Sequence, residues 1–376
     1  MNILIAADSF KDGLGATAVC AAIAAGIRRV RPQDQIRTFP LADGGEGTMD
    51  ILLHHLQGQR ISVKVHDPLF RVIDAQYGLS ADGKTAIVEM AQASGLQLLL
   101  PTERRATQTT TLGTGELIKD ASDRGCEKLI LAIGGSATND GGIGMATALG
   151  YKFLDKSGNP VIPVGASLSA IDQLDARGVH SALKQLEVSV ICDVNNPLTG
   201  GRGASNTYGP QKGASPEEVL LLEKGMIHYA QIIEKHFGKT IASIPGAGAA
   251  GGMGAASLAY LNARLRPGVE LVMDLCGFEE ALQGVNLIFT GEGRIDAQTL
   301  HGKLIKGICT LAAKQQIPVI GLCGSLGADP EMIRKIGLLA AFSITPGPMT
   351  LEEALKQTAQ NLEITASQVR LAALGF

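Results

Sequence analysis

The sequence contains no tryptophan, and only 9 Phe and 5 Tyr among its 376 residues. So small an aromatic content argues against a surface that stacks nucleic-acid bases. An excess of positive charge is missing too: 33 basic residues stand against 36 acidic ones, a formal net charge of −3. Nothing is left over to neutralise a phosphate backbone, so nucleic acid is not an expected partner. The six cysteines, at positions 20, 126, 192, 276, 309 and 323, form no CxxC pair. That removes a disulfide framework or a zinc knuckle and fits a reducing compartment. No apolar run approaches the roughly 18 residues of a membrane span. Residues 1–8 lack a basic n-region and read as a first strand, not a signal peptide. A cytoplasmic location with no membrane partner is therefore expected. GxSxG, HExxH and a GxGxxG after the first strand are absent as well.

What the chain has in abundance is glycine, 47 residues, nearly twice the usual share of about 7 %. These glycines fall in short runs without a three-residue period, which excludes collagen and low-complexity readings. The length suggests two domains with ample core.

The organisation is α/β. A strand at 2–7, a loop from Asp8 to Gly13 and an Ala-rich helix open the chain. A second strand at 35–41 runs into Ala42-Asp43-Gly44-Gly45-Glu46-Gly47 and another helix. These read as parallel βα units. From about Ile61 the period changes to that of a meander: 63–67, 72–79 and 85–90 are β-rich and separated by turn residues. Strands at 128–133 and 188–192 each run into polar loops. Residues 216–237 form a helix opened by Ser215 as N-cap, with Glu217 and Glu218 in its first turn. After about residue 284 βα units return, ending in a long helix from about Leu351. The expectation is a discontinuous Rossmann-like domain, 1–65 with 284–376, a parallel sheet with helices on both faces. A second, mixed α/β domain, 66–283, is inserted into it.

One motif match is formally complete and is rejected on context. Gly78 to Thr85 satisfies GxxxxGK[ST], but a P-loop needs a strand before it and a helix behind it. Here Asp82-Gly83 signals a hairpin turn and the residues from Thr85 continue as a strand. The better anion cradle is Gly246 through Gly254, where Gly246, Gly248, Gly251 and Gly252 let backbone amides approach a phosphate ahead of a helix. Close helix packing is the competing account of the same glycines. A second loop, residues 134–142, has the same strand-loop-helix context and adds Ser136, Thr138, Asn139 and Asp140. Asp8, Asp43, Asp193 and Glu292 each follow a strand, at the sheet edge where α/β proteins bind ligands. Lys11, Arg294 and Asp296 share those loops. Acids and bases beside glycine loops suit phosphoryl transfer, with carboxylates to hold Mg²⁺ and cations to balance charge. Gln211-Lys212 and, near His301, Lys303 are further candidates for ligand contact, against a surface role.

These motifs resemble the bacterial class I glycerate kinase family. The resemblance rests on Asp8-Ser9-Phe10-Lys11, the block 42–47, the block 134–142 and Cys192-Asp193-Val194-Asn195-Asn196-Pro197-Leu198. It rests equally on the blocks 209–214, 245–252 and Thr290-Gly291-Glu292-Gly293-Arg294-Ile295-Asp296. They occur in the family's order across nearly the whole chain. The resemblance implies transfer of the γ-phosphoryl group of ATP, with Mg²⁺, to D-glycerate, giving 2-phosphoglycerate. It implies two α/β domains with the site in the cleft between them, and a role in breaking down glyoxylate or sugar diacids.

Roles follow as expectations. Asp193 is assigned the general base, with Lys11 and Arg294 clamping the glycerate carboxylate or the moving phosphoryl group. Asp8, Ser9, Asp43, Glu46, Ser136, Asn139 and Asp140 are assigned to substrate. Gly246, Gly248, Gly251, Gly252, Lys212 and Lys303 are assigned to ATP, and Glu292 and Asp296 to Mg²⁺. A kinase of a related small hydroxy acid and a non-catalytic sensor of a sugar acid or nucleotide stay open, as does a homodimer. The sequence leaves open which glycine loop takes ATP.

Overall fold

The structure is a computed structural model that describes residues 1–45, 47–300 and 304–373. Glu46, His301 and Lys303 therefore lie outside the described residues. The chain divides into two compact units, Met1–Leu52 with Gly268–Phe376, and Leu53–Pro267.

The first unit is built on a five-stranded sheet in the order Ala340–Ser343, Val319–Leu326, Leu287–Ile295, Asn2–Ile5, Gln35–Thr38. Every pairing is parallel, with Ile3 opposite both Leu287 and Ile36. Its central strands are buried almost throughout, as expected of a parallel sheet covered on both faces. Ile3, Ile5, Leu287, Phe289, Ile320 and Leu322 pack against Val19, Ile23 and Ile27 of helix Ala16–Val30 and Leu362 of helix Thr358–Ala372. Each such side chain contributes about 1.5–3 kcal/mol through burial. The two helices touch at Gly26, where a Cβ would lie 2.1 Å from the Glu363 carbonyl oxygen. The C-terminal segment is two helices, Leu351–Lys356 and Thr358–Ala372, not the single long one expected. Thr350 caps the first, accepting from the Glu353 amide.

The second unit carries a six-stranded sheet in the order Arg264–Arg266, Glu187–Ile191, Lys128–Ala132, Thr85–Glu89, Val72–Leu79, Gln59–His66. The first four strands run parallel and the last two add an antiparallel meander. Helix Pro216–Phe237 has the expected cap: Ser215 Oγ accepts from Glu218 N, and Gly238 closes it in the left-handed region. The GxxxxGK[ST] match is the hairpin turn between two of these strands: Gly83 has φ +72° and Ser80 N–H donates to Thr85 O.

The division falls at 52/53 and 267/268, where the sequence suggests 65/66 and 283/284. The strand Gln59–His66 pairs along its whole length with Val72–Leu79 and so belongs to the second unit. Helix Gly268–Cys276 belongs to the first: a Cβ on Gly307 would sit 2.8 Å from Val269 Cγ1. Among the described residues no helix is long and apolar enough to cross a membrane.

Candidate active site

In the first unit the loops at the carboxyl ends of the parallel strands enclose a cavity of about 1370 Å³. Asp8, Ser9, Lys11, Asp43, Glu292 and Arg294 all line it. The strand expected to stop at Thr290 continues to Ile295, pairing Glu292 with Cys323 and Arg294 with Ser325. Glu292 and Arg294, two apart on a strand, share one face of the sheet. Glycines 291 and 293 disguise this strand in the sequence, because glycine has low β-propensity.

Three carboxylates gather here. Asp8 Oδ1 accepts from Ser9 N–H at 2.6 Å. Burial, then the neighbouring Asp43 charge and, more weakly, Glu292 push the Asp8 carboxyl up to about 7, against the opposing pull of Ser9. Asp43 Oδ1 accepts from Gly45 N–H at 2.9 Å, holding its loop in a tight turn. Glu292, 8 % exposed, accepts from Thr299 Oγ1 at 2.7 Å. Lys11 is exposed at the mouth. The Arg294 guanidinium is paired with Asp296 at 2.8 Å. Asp296 accepts at its other oxygen from Gln298 N–H and does not line the cavity.

The other predicted residues belong to the second unit. Lys212 is 2 % exposed; its ammonium donates to Ser136 Oγ at 2.7 Å and to the Thr138 carbonyl at 2.6 Å. Burial lowers its pKa to about 7, with the Asp140 charge opposing. Asp140 is itself fully buried and accepts from Thr111 N, Thr111 Oγ1, Gly142 N and Gly144 N. Those four donors make it an internal tie of the loop, not a group presented to a ligand. Asn139 Nδ2 donates to Ser205 Oγ, while Asn139 Oδ1 and Thr138 Oγ1 are buried without a partner. Gly134 and Gly135, at the start of the same loop, are exposed. Asp193 is exposed after the strand Glu187–Ile191.

The loop from Gly246 to Gly254 is buried and packed against backbone on several sides. A Cβ at Gly248 would lie 2.1 Å from Pro197 O, and one at Gly251 2.0 Å from Thr138 O. Gly248 N–H already donates to Asn196 O. Ala250, Gly251 and Gly252 are all left-handed, so the following helix starts in earnest only at Met253. Close packing accounts for these glycines directly.

Several cavity residues carried no sequence signal. Thr345 follows an edge strand but has no motif around it. Asn361 lies on a helix; Thr299, which does not line the cavity, is found only through its bond to Glu292.

A family model described as the glycerate kinase family matches residues 3–373. A protein named glycerate kinase from Halalkalibacterium halodurans is 47 % identical over 368 residues, 98 % of this chain and 97 % of that one. The Escherichia coli protein named glycerate 2-kinase is 44 % identical over 362 residues, 96 % and 95 % of the two chains. A crystal structure from Salmonella typhimurium LT2, described provisionally as glycerate kinase 2, superposes with a TM-score of 0.92 at 44 % identity. It covers 99 % of this chain and 98 % of its own. The chain is an enzyme of the glycerate kinase family.

Proposed function

We propose that the protein transfers the γ-phosphoryl group of ATP to the 2-hydroxyl of D-glycerate. The observation that carries the reading is Asp8. A carboxyl pushed to about 7 at the wall of a cavity is matched to taking a hydroxyl proton near neutral pH. Asp8 is therefore favoured over Asp193 as the general base. Lys11 and Arg294 line the same cavity and supply the positive charge that a transferring phosphoryl group requires. Ser9, which donates to Asp8, fixes the carboxyl's orientation.

Among the described residues no three His, Cys, Asp or Glu side chains form a ready cation cage. Mg²⁺ bound with a nucleotide does not need one, since it keeps several waters and takes one or two carboxylates plus phosphate oxygens. Asp8 is raised chiefly by burial and then by the neighbouring Asp43 and Glu292 charges, and a group of carboxylates on one cavity wall fits such an ion. Glu292 and Asp43 would hold it. Asp296 is less suited, because both its oxygens already accept hydrogen bonds. When bound, the ion offsets charge on the phosphate oxygens.

In the second unit, Lys212 would support a phosphate-facing loop through Ser136 and Thr138, with the exposed Gly134 and Gly135 as the residues that approach the anion. Gly246, Gly248, Gly251 and Gly252 would serve by holding that loop in place. The 44–47 % identity to proteins named for glycerate phosphorylation supports the acceptor.

The test is ADP formation with ATP, Mg²⁺ and a panel of small hydroxy acids. The reading expects kcat/KM for D-glycerate to exceed those for tartronate and hydroxypyruvate by at least about tenfold. Equal turnover of the panel contradicts it, and ligand binding without any ADP release would identify a sensor instead.

A further inference from the structure

The cavity of the first unit is far larger than a three-carbon acid needs, since pockets of about 300–1,000 Å³ already hold drug-sized ligands. Its lining is also uneven. Glu292 and Arg294 lie on the middle strand, Asp8 follows the strand beside it, and Asp43 follows the edge strand Gln35–Thr38. Leu326, Ile344, Met349, Leu351 and Leu355 come from the two strands on the other side, Val319–Leu326 and Ala340–Ser343, and from the segment after them. Leu326 and Leu351 are exposed to solvent, 38 % and 75 %. The two parts of the lining meet at the loop after Asn2–Ile5, where a Cβ on Gly13 would lie 3.2 Å from Leu355 Cδ2 and 3.1 Å from Thr358 Oγ1.

Three of the hydroxyls among these lining residues are engaged by backbone carbonyls. Ser343 Oγ and Thr345 Oγ1 both donate to the Gly324 carbonyl, and Thr358 Oγ1 donates to Ala354 O and Leu355 O. Asn361 differs. It is only 6 % exposed and lines the cavity, and its side-chain amide makes no hydrogen bond to any described residue. Its amide therefore opens into the cavity, with a donor and an acceptor free to meet a ligand.

We infer that this apolar half is the seat of the adenine ring, with the leucines and Met349 against its faces and Asn361 reading its edge. The inference rests on the reading that the chain uses a nucleoside triphosphate, and adds where the base goes and what selects it. An asparagine amide offers a donor and an acceptor side by side. That is the complement of the amino group and ring nitrogen of adenine. Guanine, with two acceptors on the corresponding edge, leaves one half of the amide mispaired. A base seated here points its phosphates toward Lys11 and Arg294. The glycine loops of the second unit then have no base to hold.

The experiment is calorimetric binding of ADP, GDP and inorganic tripolyphosphate to wild type, Asn361→Leu and Leu351→Asp. Wild type should bind ADP about tenfold or more tighter than GDP. Asn361→Leu should erase that preference, and Leu351→Asp, a change at an exposed position, should weaken ADP about tenfold. Tripolyphosphate affinity should stay within twofold in both variants. Unchanged ADP affinity in Leu351→Asp, or equal weakening of ADP and tripolyphosphate, overturns the placement. Wild type that binds neither nucleotide nor tripolyphosphate removes the ATP reading itself. Photolabelling of wild type with 2-azido-ADP keeps the test independent of variant folding. Label within residues 343–361 supports the placement, and label confined to the second unit overturns it.

Discussion

The Lys212 ammonium donates to Ser136 Oγ at 2.7 Å while remaining 2 % exposed, and the nearby Asp140 charge favours its protonation. A buried amine in this position titrates near neutrality, and its loss is felt first in the loop it holds. The folded pKa, about 7, lies below the unfolded value of 10.5. Between these values the unfolded chain binds more protons, so this group makes stability rise as pH increases from about 7 to about 10. Lys212→Met should flatten that rise in urea titrations at pH 7 and 9.5. It should also lower kcat/KM, because Ser136 and the Thr138 carbonyl lose their shared donor.

Asp8 gives the opposite slope. Its folded value, about 7, lies above the ordinary 3.8, so the folded state holds the extra proton between those limits. In metal-free buffer its contribution to stability is undiminished below about pH 4 and is lost as pH rises to about 7. At about 1.4 kcal/mol per unit, the loss is about 4 kcal/mol at most. Asp8→Asn should remove this dependence and melt at a higher temperature than wild type at pH 7.5 in EDTA. A site strained for function is where such a gain is found.

The same variant should be catalytically poor. Removal of a general base costs about 10²–10⁴ in turnover, and Asp8→Asn should lie in that range with its fold intact. Asp193→Asn should stay within about tenfold of wild type. A reversal of the two effects returns the proton-accepting role to Asp193.

Two glycines separate packing from anion binding. Gly251 has φ +69°, and a Cβ there would lie 2.0 Å from Thr138 O. Gly251→Ala should destabilise by about 2–4 kcal/mol, read as a fall in melting temperature. Gly134 has no atom within 4 Å of its Cβ position, so Gly134→Ala should leave stability within about 0.5 kcal/mol. A rise in the ATP KM of that variant would assign the 134–138 turn to phosphate.

Much of this was legible in the residues. Asp8 and Asp43 announce themselves by following strands, and the α/β alternation with a meander between is visible in the change of period. The interrupted first unit could be read because both ends of the chain carry βα units. What stayed hidden has specific causes. The strand through Glu292 and Arg294 is masked by its glycines, and register, not propensity, extends it. The glycine run 246–254 looks the same in sequence whether it cradles an anion or lets three backbone segments meet, and only the 2.0–2.1 Å approaches separate the two. Asp140 reads as a ligand residue until its four internal donors are seen. Asn361 has no local signal at all, since its place on the cavity wall depends on how a helix at the end of the chain packs.

The central claim is tested most directly by phosphorus NMR of the folded protein with ATP, Mg²⁺ and D-glycerate. The account predicts a resonance of 2-phosphoglycerate growing in step with ADP. A resonance of 3-phosphoglycerate, or no phosphorylated acid at all, would contradict it.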